Sequence, residues 1–191
     1  MIFKKKTYFD SLRKHYERYL GVKGVKKHWE IGPVEKLHSD FYVLEFRPNQ
    51  VHDMWCYSTV GMSFERSDNN LIELVIYSPR QSDSIVELLT LNASFHRNSE
   101  PLNLHHTVNI GQPWIDNSIC DYGFISLPYL DGEKLELFHF DNKEIHCYWL
   151  IPITESERDY KIENGCEALE QLFEDKQLDY LNPERIDLIE K

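Results

Sequence analysis

The sequence predicts a mixed α/β (α+β) domain, a β-sheet flanked by helices, on three observations. Short runs rich in aromatic and β-branched residues are interleaved with segments of helical periodicity. Two strongly apolar runs sit on either side of the polar stretch Asp141 to Glu144, as in a hairpin buried on both faces. Amphipathic stretches close the chain. Its 191 residues suit one domain and are short for two. No linker rich in Gly, Ser or Pro divides it, so residues 1–191 are read as one unit.

The first helix is expected at Tyr8 to Leu20, where Leu12, Tyr16, Tyr19 and Leu20 recur at helical spacing and Gly21 and Gly24 supply a stop. Strands are expected at Phe41 to Phe46, Met54 to Thr59 and Leu71 to Tyr77, punctuated by Pro48 and Pro79. A second helix is signalled at Ile85 to Phe95, with Ser84 and Glu87 spaced as a capping box. Thr107 to Ile110 and Tyr122 to Leu127 read as two further strands. Leu135 to Phe140 and Ile145 to Ile151 form the hairpin, through a two-residue turn at Asn142-Lys143 or a four-residue loop. Either sets Phe140 opposite Ile145 and His139 opposite His146. After Pro152 a short helical turn at Glu155 to Tyr160 and a helix from Cys166 to Phe173, capped by Asn164 and Glu167, complete the reading.

Charge narrows the function. Lys plus Arg number 21 against 32 Asp plus Glu, a net charge of -11, which is the wrong sign for a nucleic-acid surface. The balance is uneven: residues 1–30 carry nine basic against three acidic side chains, and residues 154–191 carry five against twelve. These ends are read as solvated faces or as a field that steers a basic partner. The longest apolar run, Tyr148 to Ile153, is too short to span a bilayer, so no membrane helix is expected. The basic start Met1 to Lys6 lacks an apolar h-region and cleavage site, which places the chain in the cytoplasm. Cys56, Cys120, Cys147 and Cys166 are widely spaced, without the CxxC pattern of a zinc clamp or redox pair, and are read as reduced thiols.

No catalytic set emerges. His139 with His146, joined by His105 and His106, is the best metal candidate, but zinc needs three or four convergent ligands, and no metal or other cofactor is expected. Gly61-Met62-Ser63-Phe64-Glu65 resembles a nucleophile elbow yet has Glu where the tight turn needs Gly. Cys166 opens a helix, but Glu163, Glu167 and Glu170 disfavour a thiolate there. Asp131, Glu155, Glu157 and Asp159 could pair as general acid and base, as carboxylates in so acidic a chain do by chance. Neither phosphate-binding glycine pattern is present.

Six stretches carry a resemblance: Trp55 to Ser63 (WCYSTVGMS), Glu73 to Pro79 (ELVIYSP), Gly111 to Trp114 (GQPW), Tyr122 to Gly132 (YGFISLPYLDG), Tyr148 to Arg158 (YWLIPITESER) and, continuing from it, Leu181 to Arg185 (LNPER). In order and spacing the chain resembles the suppressor-of-fused family in its single-domain bacterial form, from about Phe41 to Arg185, with residues 1–40 as a helical lead-in. The resemblance implies that family's fold and a binding role instead of catalysis. Animal members sequester a transcription factor by adding a peptide strand between two domains. This chain resembles only the first of those domains, so the animal partner does not carry over.

Bacterial relatives imply an immunity protein that binds and neutralises a cognate polymorphic toxin, and the acidic charge fits a basic toxin domain. A regulatory scaffold holding an endogenous client is the alternative, and a hydrolase with scattered acidic and histidine residues is a third reading. The resemblance places peptide contacts near Leu91 to His106, a segment where the sequence departs from the family pattern. Phe95, His105 and His106 are the binding residues expected there.

Overall fold

The computed structural model describes residues 2–34 and 36–189, with side chains from Thr7 onward; Met1, Glu35, Glu190 and Lys191 lie outside the described residues. The chain runs α1 (Ile2–Leu20), β1 (Val25–Lys27), β2 (Tyr42–Phe46), β3 (Trp55–Val60), β4 (Ile72–Ser78), α2 (Asp83–Asn98), β5 (Thr107–Asn109), β6 (Tyr122–Ser126), α3 (Glu133–Glu136), β7 (Leu137–Phe140), β8 (Lys143–Ile153), α4 (Glu155–Asn164) and α5 (Cys166–Asp175). Eight strands form one sheet in the order β1-β2-β3-β4-β8-β6-β5, with β7 beside the first part of β8. All pairs are antiparallel except β4 with β8, where Ile72 to Val75 run parallel to His146 to Trp149.

The sheet is covered on both faces, which is why β2, β4 and most of β8 read as continuous apolar runs. On one face, Tyr8, Leu12, Tyr16 and Leu20 of α1, and Leu169 and Phe173 of α5, pack on Leu44, Val75, Phe124, Cys147, Trp149 and Ile151. On the other, Ile85, Leu88 and Leu89 of α2 and the segment around Trp114 cover Val43, Tyr57, Leu74, Ile125, Tyr148 and Leu150. These alternating sets follow directly from the period-2 geometry of strands.

Several expectations are corrected. The hairpin turns at Asp141-Asn142, so Phe140 pairs with Lys143 and Phe138 with Ile145. Both turn residues adopt left-handed φ, 51° and 61°, the requirement of a type I′ turn that Asp and Asn meet more readily than Lys. His139 therefore faces Glu144, and His146 faces Leu137. Leu135 belongs to the short α3 and not to a strand. Helix α2 begins after Ser82, without a side-chain cap at Ser84, and α5 begins after Gly165, without one from Asn164. The expected turn at Glu155 is a full helix with a reciprocal capping box: Thr154 Oγ1 accepts from Glu157 N–H, and Glu157 accepts from Thr154 N–H.

Candidate protein-binding groove

The chemistry-bearing residues of the sequence fall mostly into structural roles. Glu73 is fully buried and accepts from six donors: the hydroxyls of Thr59 (2.6 Å), Ser63 (2.7 Å) and Tyr8 (3.2 Å), and the N–H groups of Gly61, Met62 and Ser63. Ser63 is thus a donor to a buried carboxylate, 3% exposed, and cannot meet a substrate. The turn it sits in needs Gly61, which has φ 106° and whose added Cβ would lie 2.5 Å from Phe9. Burial, and next the Glu73 charge, push the Tyr8 phenol up.

The four candidate carboxylates do not converge. Asp131 accepts from Tyr77 OH at 2.5 Å and faces His52 Nε2 at 3.4 Å. Glu157 is buried against Arg185, whereas Glu155 and Asp159 both pair with Arg158. Burial pushes the Cys56 and Cys147 thiols up and Cys120 to about 11, so these three are poor nucleophiles. Among the described residues no group of three His, Cys, Asp or Glu side chains is placed to hold a metal ion.

What the fold does present is an open sheet edge. Strand β5 ends the sheet and, among the described residues, pairs only with β6. Its ladder uses the Ile110 N–H, bonded to Asp121 O, and the His106 carbonyl, which accepts from Ile125 N–H. By antiparallel alternation, Thr107 and Asn109 turn their N–H and C=O groups away from β6, toward the free edge. The opposite edge, β1, carries Lys26 and Lys27, a common guard against pairing; β5 contains neither Lys nor Pro.

Beside β5 lies a groove of about 650 Å³ between that strand and α2, floored by Leu88, Leu91, Val108 and Trp114. Phe95 stands on its α2 wall, 42% exposed although apolar. The connecting segment is pinned by His96, whose Nδ1 accepts from Leu102 N–H at 2.8 Å. Burial first, then the charge of Arg66, push His96 down to about 4, which keeps the imidazole neutral at physiological pH.

Of the three expected binding residues, Phe95 and His106 line this groove. His105 does not: with φ 65° it turns to the opposite face, stacks on Phe124, and sets Nε2 3.8 Å from Glu170 of α5. Leu91, Asn92 and Trp114 also line the groove. Nothing in their local sequence separates them from ordinary core residues. The signal within reach was the short, Lys-free strand Thr107–Asn109.

The class so defined is a mixed α+β domain that displays an unguarded strand edge beside an apolar groove, a geometry suited to holding extended protein segments. The family model for suppressor of fused protein (SUFU) matches residues 38–186, and the chain belongs to that family. It is 25% identical to immunity protein YqcF of Bacillus subtilis (strain 168), over 86% of this chain and 88% of that one. The crystal structure of a SUFU homologue from Neisseria gonorrhoeae FA 1090 superposes with a TM-score of 0.85 at 29% identity, covering 97% of this chain and 99% of that chain. Drosophila Suppressor of Fused shares the fold, with a TM-score of 0.68 at 13% identity; this chain covers 51% of its length.

Proposed function

We propose that this chain is a non-enzymatic binding protein that acts in the cytoplasm as the immunity protein of a toxin system, occupying a cognate toxin domain and blocking it. The observation that carries the binding role is the free β5 edge with Thr107 and Asn109 facing outward, next to the groove that contains Phe95 and His106. Backbone bonds at such an edge supply affinity, and the groove selects side chains. The relation to YqcF, which covers most of both chains, supports immunity as the biological setting.

Folding residues are poor choosers of partner, because Tyr57, Trp149 and the Glu73 cluster are spent inside the molecule. Specificity falls to exposed groups around the groove. The net charge of -11 favours a toxin domain with a basic surface.

The test is co-purification with the product of a neighbouring gene that encodes a variable toxin domain, followed by titration of the purified pair. Thr107→Pro deletes an outward N–H and leaves the β6 ladder intact, and Phe95→Ala empties the groove wall. Each should weaken binding about tenfold or more with little change in melting temperature. Full affinity in both variants would remove this edge from the interface. Failure of any neighbouring product to bind would refute the immunity reading.

A further inference from the structure

A second groove, of about 740 Å³, lies on the opposite face of the sheet, between α5, the turn that follows it and the segment after β6. Its floor is apolar, from Trp149, Ile151 and Phe173. One rim carries Glu167, Glu170 and Glu174, which fall on one side of α5 at spacings of three and four. The other lip is Tyr129 and Leu130, 60% and 54% exposed.

The carboxylates are arranged against their own interest. Like charges at these spacings repel, and no Lys or Arg among the described residues forms an ion pair with any of the three. Glu170 is nonetheless held in place, accepting from Ser126 Oγ at 2.7 Å and Tyr129 OH at 3.1 Å. A fixed negative rim over an aromatic floor, beside an exposed aromatic and an exposed aliphatic side chain, is complementary to a cation carried next to an apolar group.

We propose that this groove is a second docking surface, which takes a cationic amphipathic segment of the partner protein. A Lys or Arg meets the Glu167–Glu174 rim while a neighbouring apolar side chain enters between Tyr129 and Trp149. The proposal rests on the reading of the chain as a binding protein, and it is independent of the β5 edge and of the toxin's identity. Two contact surfaces on opposite faces would let the partner's register be set at one and its charge be read at the other.

The test uses an amphipathic peptide of about 14 residues, with Lys on one helical face and Leu on the other, as the probe. Its counterpart has Gln in place of each Lys. Titration against the full chain, followed by tryptophan fluorescence, should show binding of the Lys peptide alone. Glu167→Gln with Glu174→Gln, which spares the Glu170 bonds, should weaken it about tenfold. Asp116→Asn with Glu184→Gln, which removes as much exposed charge outside the groove, should change it less than about twofold, as should Thr107→Pro. Equal loss in both charge-removed proteins, equal binding of the Gln peptide, or no binding of the Lys peptide would overturn the proposal. Toxin capture is not a readout here, so failure of the immunity reading leaves these outcomes unchanged, and failure here leaves toxin binding at β5 standing.

Discussion

Arg185 and Glu157 form a bidentate ion pair inside the protein, with N–O distances of 2.6 and 2.7 Å and side chains 5% and 0% exposed. Glu157 also closes the capping box of α4 and accepts from Leu188 N–H, while Arg185 donates to the Pro152 carbonyl. One pair thus ties the end of β8, the start of α4 and the C-terminal segment together. Its parts come from motifs about thirty residues apart, which explains their joint presence as a folding device and not as a catalytic pair.

Removing one partner leaves the other charged and buried. Arg185→Met should cost about 3 to 5 kcal/mol in urea unfolding. Arg185→Lys should be costly too, since an ammonium cannot span both carboxylate oxygens and the Pro152 carbonyl in a planar fork. Pairing Arg185→Met with Glu157→Gln, which keeps an acceptor for the Thr154 cap, should recover part of the loss. A purely additive cycle would contradict the coupling.

Glu73→Ala should be among the most damaging single changes, at about 3 to 5 kcal/mol, because it strands six buried donors. Glu73→Gln keeps one acceptor oxygen but turns an NH2 toward donors, and should lie between Ala and wild type. Equilibrium unfolding of the two variants checks the order.

Trp149→Ala should cost about 3 to 5 kcal/mol, since the side chain is 5% exposed and meets Tyr180 edge-on at 5.0 Å and Tyr77 at 5.8 Å. A loss below about 1 kcal/mol would mean that its surroundings collapse to fill the space.

Acid should loosen the wall of the β5 groove. His96 has its folded pKa pushed below the ordinary 6.5, to about 4, so the unfolded chain binds a proton more readily. Its contribution is complete above about pH 6.5 and disappears as pH falls through 4. Against His96→Gln, which does not titrate, wild type should lose about 2 kcal/mol of relative stability between pH 7.5 and 5. Protonation at Nδ1 also breaks the bond from Leu102, so that amide should exchange faster in acid. A pH-independent difference would contradict the assignment.

The central strands were legible because burial on both faces turns β4 and β8 into apolar runs that only a covered sheet tolerates. The hairpin register was not, because several two-residue turns fit Asp141 to Glu144 and the choice depends on which residues enter left-handed φ. The α4 capping box was hidden by its neighbour: Pro152 signals a break, and the Thr154 and Glu157 pattern lies just beyond it.

The segment expected to bind, Leu91 to His106, does not share one surface. Phe95 and His106 lie eleven residues apart in sequence and share a groove, whereas His105, adjacent to His106, is turned to the other face by one left-handed residue. No sequence periodicity extends through such an irregular link. Of the Glu167, Glu170 and Glu174 stripe, Glu167 and Glu170 enter the sequence reading as neighbours of Cys166, and the helix is expected to end at Phe173; the apolar floor beside the stripe comes from β8 and from residues of and beyond α5.

The central claim is that this chain works by holding a toxin domain at its β5 edge, and the direct measurement is the dissociation constant of the purified pair for wild type and Thr107→Pro. The account predicts a tight wild-type complex that inhibits the toxin stoichiometrically, and about tenfold or greater weakening in a variant with unchanged melting temperature. Equal affinity for the two proteins would contradict the assigned edge, and absence of a complex with the wild-type chain would contradict the claim itself.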